Sequence, residues 1–323
     1  MAVLPGRKQI YPKETSIQTI PFLSGDLGTT NVTTDDCYHV VVSAGNVGTA
    51  CLDGFSITKG NANGNSSITV NSTTVSQASG GGVHLATSSP VFANLVLINN
   101  KATLGGGISL VNSTTTLNSS TIESNTSTTN GGGVYCYVSR PAFNSVNLIN
   151  NTATTNGGGI FTDGWSSTLY LTNVAVKSNI ATNGSGGGMY LNQIDNSSTY
   201  RGLLICDNQA GQNGGGVYAS NCAPEFINLT LAGNKAGTSG GGLYDANGFM
   251  MKNCIVWGNI NSNTSAVDNC SDMTTMWHFV NTLLQGGTVN GTNIISNSNP
   301  FFVNSGAGNY HSYFCKPGKR RWK

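Results

Sequence analysis

The chain has 323 residues, of which 43 are Gly and only 9% are charged, with a formal net charge of +2. Globular averages lie near a quarter charged and about 7% Gly. The low charge and the abundant Val, Ile and Thr exclude a charge-driven disordered chain. The lack of a basic stripe excludes nucleic acid as a partner, and the lack of an 18-residue apolar run excludes a helical transmembrane segment.

Residues 1–36 read as an N-terminal cap segment. MAVLPGRKQIYPKET lacks the charged-then-apolar order of a secretory signal, so the expectation is a chain that is not exported or one whose original beginning is missing. GFSITKG, from Gly54 to Gly60, is the first stretch with a strand pattern, Phe55 and Ile57 pointing inward. The insert from Asn61 to Ser79 is expected to project sideways.

From Gly80 onward the pattern repeats. Triple glycines begin at Gly80, Gly105, Gly131, Gly157, Gly186, Gly214 and Gly240, spaced 25 to 29 residues apart. A fixed period in this range means a solenoid, propeller or array. Each triplet precedes an apolar position, Val83, Ile108, Val134, Ile160, Met189, Val217 or Leu243, with alternation that predicts a strand buried on one face. A second, shorter strand carries Phe92, Leu117, Phe143, Leu171 and Phe226. A third carries Leu97, Ile122, Leu148, Val176, Ile205, Leu231 and Val256 and ends at Asn100, Asn125, Asn151, Asn179, Asn208, Asn234 and Asn259.

Three short strands per unit of about 26 residues predict an all-β, single-stranded right-handed parallel β-helix of about nine coils, because a propeller blade needs about 40 residues or more. The helix is expected over 37–304, the last unit being NTLLQGG from Asn281 to Gly287, followed by an irregular basic tail over 305–323 that holds Lys316, Lys319, Arg320, Arg321 and Lys323. The glycines supply corners with positive φ or close backbone approach. The Asn column is expected to take left-handed conformations and to pass amide hydrogen bonds from coil to coil.

Chemistry-bearing residues are sparse. Asp163, Asp195, Asp207 and Asp245 fall in different coils and columns, so no pair is placed for acid and base work on one bond. Glu123 and Lys177 share an outward column two coils apart, and Arg201 and Asp207 flank one strand. His39, His84, His278 and His311 show no zinc spacing, and Asp35 with Asp36 is a weak cation pair. No metal and no cofactor is expected. Of eight cysteines, Cys136 and Cys254 fall on inward columns; Cys37 with Cys51, or Cys254 with Cys270, are the pairs that could bridge in an oxidising compartment.

One outward column stands out. After the first apolar residue of each glycine-led strand come His84, Ser109, Tyr135, Phe161, Tyr190, Tyr218 and Tyr244. Alternation places these outside, so Tyr135, Phe161, Tyr190, Tyr218 and Tyr244 form an aromatic stripe. Two roles compete: the rings stack on each other to stiffen the sheet, or they bind sugar faces or a partner's apolar surface.

The GGG[VIML][YF] blocks and Asn-terminated strands from Gly80 to Asn259, with LSGDLG, CYHVVV and LDGFSITKGNANG between Leu23 and Gly64, resemble the right-handed parallel β-helix proteins of bacterial surfaces, in particular the polymorphic outer-membrane-protein type of repeat. The resemblance implies a secreted or cell-surface protein, and it covers adhesins, scaffolds and polysaccharide-acting enzymes alike. In such proteins YPKET and LSGD follow earlier coils and an export signal, so Met1 reads as a truncated start, and SYFCKPGKRRWK does not continue the pattern. The expected function is a non-catalytic adhesion scaffold that binds a polysaccharide or a cell-surface glycan or protein. The alternative is a polysaccharide lyase or glycoside hydrolase working in a groove beside the rod.

Overall fold

The computed structural model describes residues 20–30, 32–245, 247–271, 278–286 and 291–312. The expectations for YPKET, Gly287, Cys315 and the basic residues from Lys316 on lie outside them, as do the side chains of His278 and His311.

Every turn winds through four parallel sheets, so each strand pairs with its equivalents one turn away and not with its sequence neighbours. In the turn that starts at Gly131 the strands are Val134–Tyr137, Ala142–Asn144, Asn147–Ile149 and Thr152–Ala153. Among the described residues the four sheets hold eight, ten, eleven and eight strands respectively. The turn count differs slightly from the nine expected: eight four-sided turns run from Val41 to Asn261, and beyond them, among the described residues, strands of the second and third sheets continue to Gly291–Thr292 and Ile295–Ser296.

The fourth sheet departs from the three strands per coil read in the sequence. Its strands are mostly two residues long, such as Ile180–Ala181 and Gln209–Ala210. Seven of the eight bury a small side chain, Ala62, Ala102, Ser127, Ala153, Ala181, Ala210 and Ala236, and the last, Ile260–Asn261, buries none. The signal was present as a small residue two places after each Asn from Asn100 to Asn234, but two residues are too few to show alternation.

The predicted columns stack in register. Leu97, Ile122, Leu148, Val176, Ile205, Leu231 and Val256 are Cα partners along the third sheet, all fully buried. In the second sheet Phe92, Leu117, Phe143 and Leu171 continue to Tyr200, Phe226, Met251 and Phe279. Each aliphatic side chain buried this way contributes about 1.5–3 kcal/mol.

The corners explain the composition. In the same turn Gly131, Val138, Ser145 and Asn150 have φ of 68°, 48°, 56° and 56°, one left-handed residue per corner. Residues able to visit that region are Gly and, less readily, Asn and Ser. The Asn column itself is not the left-handed position, contrary to expectation; the residue before it is, as at Asn99, Ser124, Asn150, Ser178 and Asp207. A left-handed residue there turns the following Asn side chain inward.

Once inside, the amides form a continuous ladder. Asn125 Nδ2 donates to Asn151 Oδ1 at 3.0 Å and to the Leu97 carbonyl at 2.9 Å, while Asn125 N donates to the same Asn151 Oδ1 at 3.0 Å. Asn100, Asn151, Asn179, Asn208, Asn234 and Asn259 repeat the pattern, and all seven are 0% exposed. The glycine corner presses against this ladder. A Cβ on Gly132 would lie 2.5 Å from the Gly158 carbonyl oxygen, and one on Gly133 would lie 3.1 Å from Asn151 Cγ.

The insert does not project. Asn61–Ala62 joins the fourth sheet, and Ser67–Val70 pairs antiparallel with Thr73–Ser76. That hairpin folds over the first sheet, where Val75 and Val70 pack on Ala44 and Ala86. All seven described cysteines are free thiols, so neither Cys37 with Cys51 nor Cys254 with Cys270 is bridged. Burial pushes the Cys136 and Cys254 thiols up to about 12, which makes them inert apolar filling.

Candidate binding face

The outward column of the first sheet runs in strict register through Val42, His84, Ser109, Tyr135, Phe161, Tyr190, Tyr218 and Tyr244. It divides into a covered part and an open part. His84 is 1% exposed and Ser109 fully buried. The His84 ring stacks on His39 at 5.3 Å between centroids, and His39 Nδ1 lies 2.9 Å from the Gly80 carbonyl oxygen, to which it donates. Burial first, and His39 second, lower the His84 pKa to about 4. Neutral imidazole suits an interior position; imidazolium does not.

Past Ser109 the column is aromatic. Tyr135–Phe161, Phe161–Tyr190, Tyr190–Tyr218 and Tyr218–Tyr244 stack at 5.4, 5.0, 4.7 and 5.3 Å, with interplanar angles of 3°, 11°, 10° and 0°. These are near-parallel rings within the range where aromatic pairs add about 0.5–1.5 kcal/mol each. Phe161, predicted to lie outside, is 6% exposed, with a ring on either side of it. The four tyrosines are half-buried.

The rings therefore do stack on each other, and the stacking decides what the stripe can offer. Ring faces inside the stack are covered by neighbouring rings, so the accessible chemistry is ring edges and phenolic hydroxyls. Burial, with Asp163 as a lesser cause, pushes Tyr135 up to about 12; burial, Tyr218 and Asp163 do the same for Tyr190. Their hydroxyls stay protonated donors over the whole physiological range.

A second outward column lies beside the rings. Tyr137 pairs in register with Asp163, and Asn192 with Ser220. Asn192 Nδ2 donates to Asp163 Oδ1 at 2.9 Å, and Asn221 Nδ2 donates to Asn192 Oδ1 at 3.1 Å. Tyr137 stands 42% exposed. The face thus combines edge-on aromatics with a hydrogen-bonded polar row, a surface chemistry no single column of the sequence displayed.

The other candidate residues are dispersed. Arg201 ends the strand Thr199–Arg201 of the second sheet, whereas Asp207 follows Leu204–Cys206 of the third. Asp207 Oδ1 accepts a hydrogen bond from the Tyr310 hydroxyl at 2.5 Å, and Lys177 Nζ donates to the Gly308 carbonyl at 3.1 Å. Both contacts come from a C-terminal hairpin, Phe302–Asn304 with Asn309–Ser312, that folds back over the third sheet and covers Cys206 and Ala232. Asp195 Oδ1 accepts from Ser197 N at 2.7 Å, and Asp245 Oδ1 from Asn247 N at 2.8 Å. Asp36 is pushed up by burial, then by Asp26 and Asp35. Among the described residues no three His, Cys, Asp or Glu side chains are grouped to hold a metal ion, and no helix is long and apolar enough to cross a membrane.

Two segments, 119–137 and 145–163, match the family model of the Chlamydia polymorphic membrane protein repeat. Both lie in the turns that carry Asn125, Asn151, Tyr135 and Phe161. No curated protein and no solved structure matches the chain. The matched repeats and the parallel winding together fit a β-helix repeat protein of this type.

Proposed function

We propose that this β-helix repeat protein of the polymorphic membrane protein type works at the bacterial surface as a non-catalytic adhesion scaffold, with the outer face of the first sheet as its binding face. In this reading residues 37–304 form the scaffold and 1–36 its cap, and the segment from 305 begins by closing the hairpin of Phe302–Asn304 with Asn309–Ser312 over the third sheet before the basic tail. The observation that carries it is the open aromatic ladder from Tyr135 to Tyr244, flanked by Asp163 and Asn192. Tyrosine edges and hydroxyls with adaptable amides suit recognition, because they give contact area and hydrogen bonds at low entropic cost. Catalysis finds less support: the carboxylates of Asp195, Asp207 and Asp245 are each engaged locally, in separate places.

The test is adhesion of purified full-length chain to glycan-bearing cell surfaces, comparing wild type with the double variant Tyr190→Ala/Tyr218→Ala. The double variant is expected to bind about tenfold more weakly with its fold retained. Equal binding by both proteins removes the ladder from the interface. Cleavage of a polysaccharide by the wild type, in a parallel assay with uronate-containing polymers, replaces the scaffold reading with an enzymatic one.

A further inference from the structure

The corner loops beside the binding face form a cleft of about 490 Å³, of the size small ligands occupy. Its walls come from successive turns: Trp165 follows the strand Ile160–Asp163, Asp195 and Asn196 follow Met189–Asn192, Asn221 follows Val217–Ser220, and Asn247 follows Leu243–Asp245. The base is apolar, Ile194 and Cys222 being 5% and 6% exposed. Trp165 is 69% exposed. An indole held that far out of the core contributes little to folding, so its placement over a cleft is the first sign of a ligand.

The polar groups supply the second sign, because backbone bonds fix how each amide points. Ala223 N donates to Asn196 Oδ1 at 3.1 Å, and Asn221 N donates to Asn247 Oδ1 at 2.6 Å. A backbone N–H can only donate, so in both residues the oxygen is committed and the NH₂ group remains available. Asn221 is the reverse: its Nδ2 donates to Asn192 and Ser220, leaving its oxygen as an acceptor. Asp195 accepts at Oδ1 from Ser197 N and, as a carboxylate with about four acceptor sites, retains capacity for a further donor. Hydrogen bonds from Ser197, the backbone one first, hold this carboxyl below its usual range, so it stays ionised.

Two free donors and two acceptors therefore alternate around one apolar base beside an exposed indole. Hydroxyl groups, which donate and accept at once, answer such an array, and the C–H face of a sugar ring packs on an aromatic face. No Lys or Arg lines the cleft. An anionic sugar would meet the Asp195 carboxylate inside the cleft, while Arg140 acts on that carboxyl from outside the lining and more weakly than the Ser197 hydrogen bonds. We infer that the Trp165 cleft is a subsite for a neutral, hydroxyl-rich glycan, with Trp165 as the stacking platform and Asn196, Asn221, Asn247 and Asp195 as its hydroxyl partners. The inference rests on the binding-face reading above, since Asn192 links the cleft to Asp163 and the aromatic ladder.

Titration of the full chain with cellohexaose, chitohexaose and hexagalacturonate, read by calorimetry, tests it. Wild type is expected to bind at least one neutral hexamer and not the uronate. Trp165→Ala should weaken that binding about tenfold or more, and Asn247→Ala about threefold. Circular dichroism checks that both exposed substitutions leave the fold intact. Neutral-hexamer binding unchanged in Trp165→Ala overturns the subsite; if Tyr190→Ala/Tyr218→Ala abolishes binding in the same series, the ladder reading survives alone. Absence of any neutral-hexamer binding by wild type, or preference for hexagalacturonate, also overturns it. In that case the ladder reading is decided separately by cell adhesion.

Discussion

Two ladders run along the same solenoid, one inside and one outside, and they differ in what they leave unsatisfied. The inner ladder, Asn100 to Asn259, satisfies its amides within itself and is 0% exposed at every level. The outer ladder, Tyr135 to Tyr244, covers its own ring faces but leaves its four tyrosines half-exposed. Both arise from the same cause, a repeat that places like residues one coil apart. Only the outer one has chemistry left to offer a partner.

The inner corner should break first. Gly132→Ala drives a Cβ to 2.5 Å from the Gly158 oxygen and from the Thr152 backbone, neither of which can move alone. The expected loss is about 4 kcal/mol. Asn151→Ala removes the acceptor of Asn125 N and one of the two acceptors of Asn125 Nδ2, together with the amide donor to the Ile122 carbonyl and to Asn179 Oδ1, with an expected loss of about 3 kcal/mol. Urea unfolding midpoints measure both, and midpoints near wild type would mean that the inner ladder does not hold the coils.

Acid sharpens the contrast at the covered end of the outer column. His84 has a folded pKa of about 4 against an ordinary value of 6.5, so between those values the unfolded chain binds more protons. Stability contributed by its neutral form is fully present above pH 6.5 and lost as pH falls toward 4. The loss amounts to about 3 kcal/mol for the full shift. His84→Gln should flatten the thermal midpoint over that window; an unchanged slope would show that His84 is not the group titrating.

The open end should be cheaper to alter. Tyr190→Ala removes two ring contacts, at 5.0 and 4.7 Å, and is expected to cost about 1–2 kcal/mol. A cost equal to that of Asn151→Ala would erase the distinction between the ladders. The smallest effect has the opposite sign. Val138 is β-branched at φ 48°, so Val138→Asn should raise the midpoint by about 0.5 kcal/mol in stability, visible in the same unfolding curves.

The residues that announced the fold were those repeated without exception: the glycine triplets, the aliphatic columns and the terminal asparagines. Repetition across seven levels separated a structural position from chance, which single motifs could not do. What stayed hidden had a local physical reason. Most strands of the fourth sheet bury only an Ala or Ser, too little hydrophobic contrast to register. Tyr200 and Met251 of the second sheet sit in strands whose apolar columns are harder to align than those introduced by Pro90 and Pro141. The hairpin from Ser67 to Ser76 reads as an outward loop because its partner, Ala44 with Ala86, lies on an outward column. Trp165 occupies a corner with no equivalent in other turns, so periodicity was silent about the cleft.

The most direct test sets the two ladders against each other in one assay, adhesion of folded protein to a glycan-bearing surface as a function of temperature. Tyr190→Ala/Tyr218→Ala is predicted to lose attachment at temperatures where it is still folded, whereas Asn151→Ala is predicted to attach like wild type until it melts early. Attachment by the tyrosine variant that follows its melting curve and nothing else would contradict the account.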